Sequence, residues 1–276
     1  MEQLFLGVIG GGAMGSALLR RWVNSGVCPP DQIGLREPDL GRARALQEEL
    51  GIRLLSDPAQ AGEARVLFLA VKPQVFTTVA AEMGQPTSPE LVISIMAGIP
   101  LEQLQQAFPK QVVVRTMPNT PALVGAGMTA ISYGAGITPT QVEQVEKLFR
   151  AVGEVVTVAE SQMDAVTALS GSGPGYVAVM VEALIDGGVR VGLPRPLATQ
   201  LALQTLAGTT ALLQQEQLHP ALLKDRVTSP GGTTIAGIDA LEQAGVRGAL
   251  MQAVQAAYER SCQLTSGATA LPKRGG

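Results

Sequence analysis

The sequence predicts an α/β protein in two parts: a doubly wound parallel sheet over residues 1–159, then an all-helical region over residues 160–276. Three observations carry that prediction. In the first part, short and nearly continuous apolar runs alternate with helical segments, as strands buried on both faces of a parallel sheet do. A glycine-rich turn, GVIGGGAMG, follows the first apolar run and opens a helix. Beyond Glu160 the strand signals stop and long apolar helical segments take over.

The elements follow in order. Strands are expected at 4–9 (LFLGVI), at the run IGLREPD, at 66–71 (VLFLAV), at 91–96 (LVISIM) and at 112–115 (VVVR). A helix is expected at 40–50, LGRARALQEEL. Another begins at TPTQVEQVEKLFRAVG, with Thr138 as N-cap, Pro139 at the first helical position, Gln141 completing a capping box and Gly153 following the end. In the second part, 176–191, 197–214 and 246–264 read as helices. In the last, Val246, Leu250, Ala253, Val254 and Ala257 share one face. The run YVAVMVEALIDGGVRVGL carries only Glu182, Asp186 and Arg190 as charges, four residues apart and so on one narrow face. A helix this apolar is expected to be covered on most sides. A subunit interface is favoured over an ordinary core position, because few residues are available to cover it within its own domain.

Composition narrows the function classes. The chain has 276 residues, 46% hydrophobic and 16% charged, which describes a well-buried globular protein. A net charge of -3 with no basic block argues against nucleic acid as a partner. Cys28 and Cys262 are the only cysteines and His219 the only histidine, so neither a disulfide framework nor a metal site is expected. The N-terminal residues lack the basic region of a signal peptide, and no uninterrupted apolar run approaches the ~20 residues of a membrane helix. A cytoplasmic protein without a membrane partner is the expectation.

The glycine-rich turn is the first motif with chemical content. Gly10, Gly12 and Gly15 form GxGxxG, with Gly11, Ala13 and Met14 between them. Such a turn lets backbone approach a pyrophosphate, which then sits on the N–H groups and positive dipole of the following helix. At the end of the second strand stand Arg36 and Glu37. An acidic residue here would suit the ribose of NAD, and an arginine the 2′-phosphate of NADP. Adjacent side chains on a strand point opposite ways, so one of the two addresses the cofactor and the other is a surface charge. Arg36 favours NADPH, with NADH as the alternative. Ala70, Val71, Lys72 and Pro73 (LAVKPQ) and Met96, Ala97 and Gly98 (SIMAGI) end later strands on the same side as a wall of the cofactor crevice. Lys72 could neutralise phosphate or simply be solvated. Asn119, between two prolines, could hydrogen-bond nicotinamide or ribose, or could serve the turn itself.

The stretch DRVTSPGGTTIAG packs hydroxyls and two glycines ahead of a helix. Ser229 fits the N-cap and Pro230 the first helical position, so Gly231, Gly232 and Thr233 are expected in the first turn, where their N–H groups could hold a small anion. A merely well-capped helix would not need Gly-Gly, which weakens a helix by up to ~1 kcal/mol per residue.

GGGAMG, AVKPQ, MPNTP, SGSGPGY and above all DRVTSPGGTTIAGIDALE resemble the corresponding motifs of Δ1-pyrroline-5-carboxylate reductase, in order and over essentially the whole chain. The resemblance implies a Rossmann-type N-terminal domain, a helical C-terminal dimerisation domain, and intertwined homodimers that assemble into decamers in many members. It implies reduction of pyrroline-5-carboxylate to proline by NAD(P)H. It also points to Glu160 as a substrate-site acid, although a helix-start charge is the alternative. Three positions depart from the pattern: Leu35 where asparagine often precedes the arginine, Arg226 after Asp225, and Gln217 where some members carry glutamate. On this reading the anion at Ser229–Thr233 is the substrate carboxylate, and Thr234 is the candidate to bond the imine nitrogen. Two rival readings are a β-hydroxyacid dehydrogenase-like reductase and a non-catalytic NADP sensor. The first would need a catalytic lysine, and Lys224 is the only lysine between Glu160 and Lys273. The second would have lost the hydroxyl-rich helix start.

Overall fold

The computed structural model describes residues 3–86 and 88–268. They form two compact units: the described residues of 3–172 together with 257–268, and residues 173–256.

The first unit is built on one eight-stranded sheet in the order β3-β2-β1-β4-β5-β6-β7-β8. The strands are β1 (Leu6–Ile9), β2 (Ile33–Arg36), β3 (Arg53–Leu54), β4 (Val66–Leu69), β5 (Leu91–Ser94), β6 (Val112–Met117), β7 (Gly127–Tyr133) and β8 (Gly153–Thr157). All neighbours are parallel except β6 and β7. The first six strands have the order of a doubly wound nucleotide-binding sheet, whose order reverses between β1 and β4. Helices α1 (Ala13–Asn24), α2 (Leu40–Leu50), α3 (Pro58–Ala61), α4 (Phe76–Met83), α5 (Leu101–Ala107) and α6 (Pro139–Arg150) cover the sheet. Alternation along β2 shows why both faces are apolar. Leu35 joins a core with Leu18, Trp22, Leu46, Phe68 and Phe149, while Gly34 lies under Leu4 and Leu55 on the other face. Trp22 meets Phe68 edge-on at 4.9 Å and donates its indole N–H to Leu148 O at 2.7 Å, so its polar edge is satisfied inside the core. Burial pushes the Cys28 thiol up to about 12, which leaves it a protonated, unreactive packing group.

Most expected elements are present. Helix α2 spans the residues anticipated, and α6 has the Thr138–Gln141 capping box. The expected strands at 4–9, 66–71 and 91–96 are shorter at their ends. The residues that drop out, among them Ala70, Val71, Ile95 and Met96, form the loops leaving the sheet. Strands β7 and β8 were not anticipated. Thr129 and Ser132 are buried in β7, and an apolar pattern does not reveal a central strand with hydroxyls inside.

The second unit is helical. It holds α8 (Gly173–Arg190), α9 (Arg195–Gln215), α10 (Pro220–Arg226), α11 (Thr233–Gln243) and the start of α12 (Val246–Ala268), following a short α7 (Met163–Val166) and a π-helical turn at Thr167–Gly171 in the first unit. Helices α8 and α9 pack as a hairpin. Gly188 permits the close approach, since a Cβ there would lie 3.1 Å from that of Ala198. Within the chain α8 is not covered: none of its residues is buried, and Val179 is 66% exposed. The helical stretch Glu160–Arg190 contains an 18-residue window of mean hydropathy 1.3, long and apolar enough to cross a membrane by length and composition alone. No single apolar run in the sequence announces it, because Glu182 and Asp186 interrupt it.

The expected start of α11 needs correction. The helix begins at Thr233 with Gly232 as its N-cap, three residues later than Ser229. Ser229 O instead accepts from Gly232 N at 3.1 Å, and Gly231 adopts φ +67°. Proline second and a left-handed glycine third are the requirements of a type II turn, so SPGG forms a turn in front of the helix and lies outside its first coil.

Candidate active site

The glycine-rich turn sits where β1 leaves the sheet beside β4. Gly10 has φ +102°, and a Cβ there would lie 2.5 Å from Ala70 O, so only glycine lets β1 turn against the end of β4. A Cβ at Gly15 would strike Gly10 O, which fixes how closely α1 approaches the turn. Gly12, the N-cap of α1, has no side-chain cap and faces open space. Backbone N–H groups and the helix dipole are therefore available to an anion on that side.

The open side leads into a cavity of about 390 Å³. Its wall takes Gly12, Ala13 and Met14 from the turn, Ala70 to Pro73 from the end of β4, Met96 and Ala97 from the end of β5, and Asn119 after β6. Ile95, Met117, Pro118, Thr120 and Gly171 complete it. Gly171 was not anticipated; its signal was the glycine of SGSGPGY, and a Cβ there would lie 2.5 Å from Met117 Cε. The crevice lies at the carboxyl ends of the strands across the switch point, where open α/β sheets bind ligands. Its place at the switch point and its uncapped helix start suit the phosphates of a dinucleotide.

Not every expected residue lies in this wall. Gly10 and Gly11 form the turn beneath it. Gly98, with φ +75°, packs against Leu264 of α12. Asn119 lines the cavity, but its side chain is engaged: Nδ2 donates to Ser170 O at 3.2 Å and Oδ1 accepts from Met128 N at 2.9 Å. It ties the β6 loop to the π-helical turn. Arg36 lies beyond the wall at the end of β2, and its Nε is buried without a hydrogen-bond partner among the described residues. Glu37, read from sequence as a surface charge if Arg36 faces the cofactor, is buried, and its Oε2 accepts from Gly11 N at 2.7 Å.

Glu160 lies in the first unit. Its Oε1 accepts from Arg115 Nη1 at 2.8 Å and from Leu101 N at 3.0 Å, capping the start of α5. Its Oε2 is buried with no partner among the described residues. Arg115 is itself buried and reaches Asp164 at 3.9 Å. Asp164 Oδ1 in turn accepts from Ser261 and Thr265 of α12 at 2.7 and 2.9 Å. This ionic cluster carries no sequence signature, since its members lie far apart in the chain.

In the second unit, the start of α11 lacks a side-chain cap. With Gly232 N committed to Ser229 O, the first-turn N–H groups of Thr233, Thr234 and Ile235 point forward, alongside two threonine hydroxyls. The backbone N–H groups without an intrahelical partner are thus shifted along the chain from Gly231 and Gly232, which shape the turn. His219 caps α10, its Nδ1 accepting from Ala221 N at 3.2 Å, a local role.

Comparison with known proteins matches both halves. Residues 160–264 match the family described as pyrroline-5-carboxylate reductase dimerisation, and residues 5–98 match NADP oxidoreductase, coenzyme F420-dependent. The chain is 50% identical to a pyrroline-5-carboxylate reductase of Synechocystis over 260 residues, covering 94% of this chain and 97% of that one. It is 42% identical to one from Arabidopsis thaliana, covering 96% and 97%. The crystal structure of Plasmodium falciparum pyrroline carboxylate reductase with NADP bound superposes with a TM-score of 0.87 at 31% identity, covering 96% of this chain and 99% of that one. The uncovered helices of the second unit, the dinucleotide crevice of the first and these full-length likenesses lead to one conclusion: the chain belongs to the pyrroline-5-carboxylate reductase family.

Proposed function

We propose that the protein reduces the C=N bond of Δ1-pyrroline-5-carboxylate to L-proline with NAD(P)H, the last step of proline biosynthesis. The observation that carries this reading is the hydroxyl-bearing, uncapped start of α11 in a chain whose other unit has a dinucleotide crevice. Among the described residues, Gly10 to Met14, Ala70 to Pro73, Met96 to Gly98 and Asn119 are the cofactor-side residues, and Arg36 is the cation for a 2′-phosphate. The nicotinamide, when bound, supplies the hydride.

The chain's own residues bind, orient and desolvate the ring. The substrate carboxylate takes the N–H groups opening α11, with Ser229, Gly231, Gly232 and Thr233 shaping that cradle. The Thr234 hydroxyl hydrogen-bonds the ring nitrogen. A substrate entering as the protonated iminium already carries the proton the amine needs, so orientation matters more than a strong acid. Glu160, through its unpartnered Oε2, is a substrate-side acceptor. Residues 160–276 act as the substrate-binding and dimerisation domain, in homodimers that assemble into decamers. The apolar flank of α8 closes against a second copy, in a cytoplasmic enzyme without membrane or nucleic-acid partners.

The test is oxidation of NADPH on addition of pyrroline-5-carboxylate, with proline identified as product. Substrate-dependent oxidation is expected; its absence in a folded, oligomeric preparation overturns the reading.

A further inference from the structure

Arg115 is the one charged side chain of β6, and it is 4% exposed. A buried cation is costly unless its neighbours replace the water it has lost. Two carboxylates do so here. Nη1 donates to Glu160 Oε1 at 2.8 Å, and Nη2 lies 3.9 Å from Asp164 Oδ1. Each carboxylate also accepts from a further element. Glu160 Oε1 takes Leu101 N at 3.0 Å, an orphan N–H at the start of α5, where Pro100 supplies no side-chain cap. Asp164 Oδ1 takes the hydroxyls of Ser261 and Thr265 in α12 at 2.7 and 2.9 Å. One guanidinium thus joins β6, the start of α5 and the last turns of α12, all within the first unit.

The segment enclosed by these ties is the loop of residues 95–100 between β5 and α5. Its Ile95, Met96 and Ala97 form part of the crevice wall. Its sequence, IMAGIP, has no side chain with an N–H or O–H group, so its position is set from outside. Its start follows Ser94, the residue paired with Arg115 across β5 and β6. Its middle is Gly98, at φ +75°, where a Cβ would lie 3.4 Å from Leu264 Cβ and 3.6 Å from Thr265 N. Its end is Leu101 N on Glu160. Arg115 or one of its two acids is involved at each of the three points.

We propose that Arg115 positions the coenzyme-wall loop 95–100, and through it the nicotinamide half of the coenzyme. It does so by holding Glu160 against the start of α5 and Asp164 against α12. A doubly wound sheet seats one mononucleotide over β1–β3, the adenosine on the fingerprint side, and the other over β4–β6. The loop leaves β5, so its displacement is felt by the nicotinamide half and spares the adenosine half. A planar guanidinium serves two carboxylates at once, whereas a lysine ammonium is a single point charge on a different stem. This inference rests on the NAD(P)H reading above.

The test is equilibrium binding to the intact oligomer by calorimetry, with steady-state kinetics and melting temperature recorded alongside. The probes are NADPH and adenosine 2′,5′-bisphosphate, which carries the adenosine half alone. Arg115→Met should weaken NADPH about tenfold and lower kcat about tenfold, with the bisphosphate bound as before. Arg115→Lys should return NADPH affinity to within about threefold of the unmodified protein. A folded Arg115→Met with unchanged NADPH affinity overturns the proposal. So does an equal loss of NADPH and bisphosphate, the mark of a general loosening of the domain. If Arg115→Met fails to fold, the double variant Ser261→Ala, Thr265→Val decides, since it removes the α12 hydroxyls from Asp164 and leaves the guanidinium in place. It should weaken NADPH about threefold and leave the bisphosphate unchanged; unaltered NADPH binding would refute the proposal. Failure of the unmodified protein to bind NADPH would instead remove the reductase reading, and this proposal with it.

Discussion

The two units treat their apolar residues in opposite ways. In the first, Leu6, Leu18, Trp22, Phe68 and Phe149 are fully enclosed around the sheet. In the second, Ala198 alone is buried among residues 173–256, while Val177, Leu184, Leu203 and Leu241 stand open to solvent. One unit completes its core from its own chain. The other is a set of helices whose apolar faces lack partners within the chain, and an exposed apolar surface of that kind marks an association site. The match to a dimerisation family over residues 160–264 supports a homo-oligomer. The lesson is that a domain boundary is also a boundary between two sources of stability, intrachain burial and association.

Substitutions can break this contrast, and the largest effect is expected in the first unit. Phe68→Ala removes a ring enclosed against Trp22 and Phe149 and should cost about 3–5 kcal/mol. Denaturant unfolding should show that loss at every protein concentration. Leu184→Glu places a charge on the open flank of α8 and should cost on the order of 3 kcal/mol, felt at the interface. Sedimentation should show dissociation into protomers with loss of activity, while the unfolding of the first unit stays unchanged.

Smaller effects sharpen the comparison. Thr234→Ala should lower kcat/KM by roughly 10- to 100-fold, the loss of a ~1.5–3 kcal/mol charge-assisted bond, while Thr234→Ser keeps most activity. Cofactor affinity and melting temperature should hold, and a melting temperature that falls in step with activity would make Thr234 a structural residue only. The smallest change is Thr138→Ala, which deletes the cap of α6 and should cost about 1 kcal/mol of first-unit stability. Steady-state kinetics should be unaffected, since α6 lies far from the crevice wall in sequence and supplies none of its residues.

What could be read from the sequence follows the range of the forces involved. The glycine-rich turn, the α6 capping box and the limits of α2 were legible because each depends on neighbours within a few residues. The start of α11 was legible as chemistry but misplaced by three positions, because Ser-Pro can begin a helix or a type II turn and the left-handed Gly231 decides between them. Strand β7 was missed because its buried Thr129 and Ser132 mimic a polar loop. The environments of Arg36 and Glu37 were beyond reach for a different reason. Alternation dictates that they diverge, but which one meets Gly11 depends on which sheet face carries α1 and α2. The Arg115–Glu160–Asp164 cluster needed the full topology, since its partners come from β6, the chain after β8, and α12.

Helix α12 starts in the second unit and ends in the first, where Ser261 and Thr265 bond Asp164 and Leu264 backs Gly98. During synthesis these last residues leave the ribosome some hundred residues after Asp164, as the separations of 97 and 101 positions require. The nucleotide-binding unit therefore stays unfinished while the whole helical excursion is being made. A nascent chain stalled before residue 257 would leave Asp164 without its Ser261 and Thr265 donors and Gly98 without Leu264 behind it. The first unit is thus completed only after the helices of the second have been synthesised.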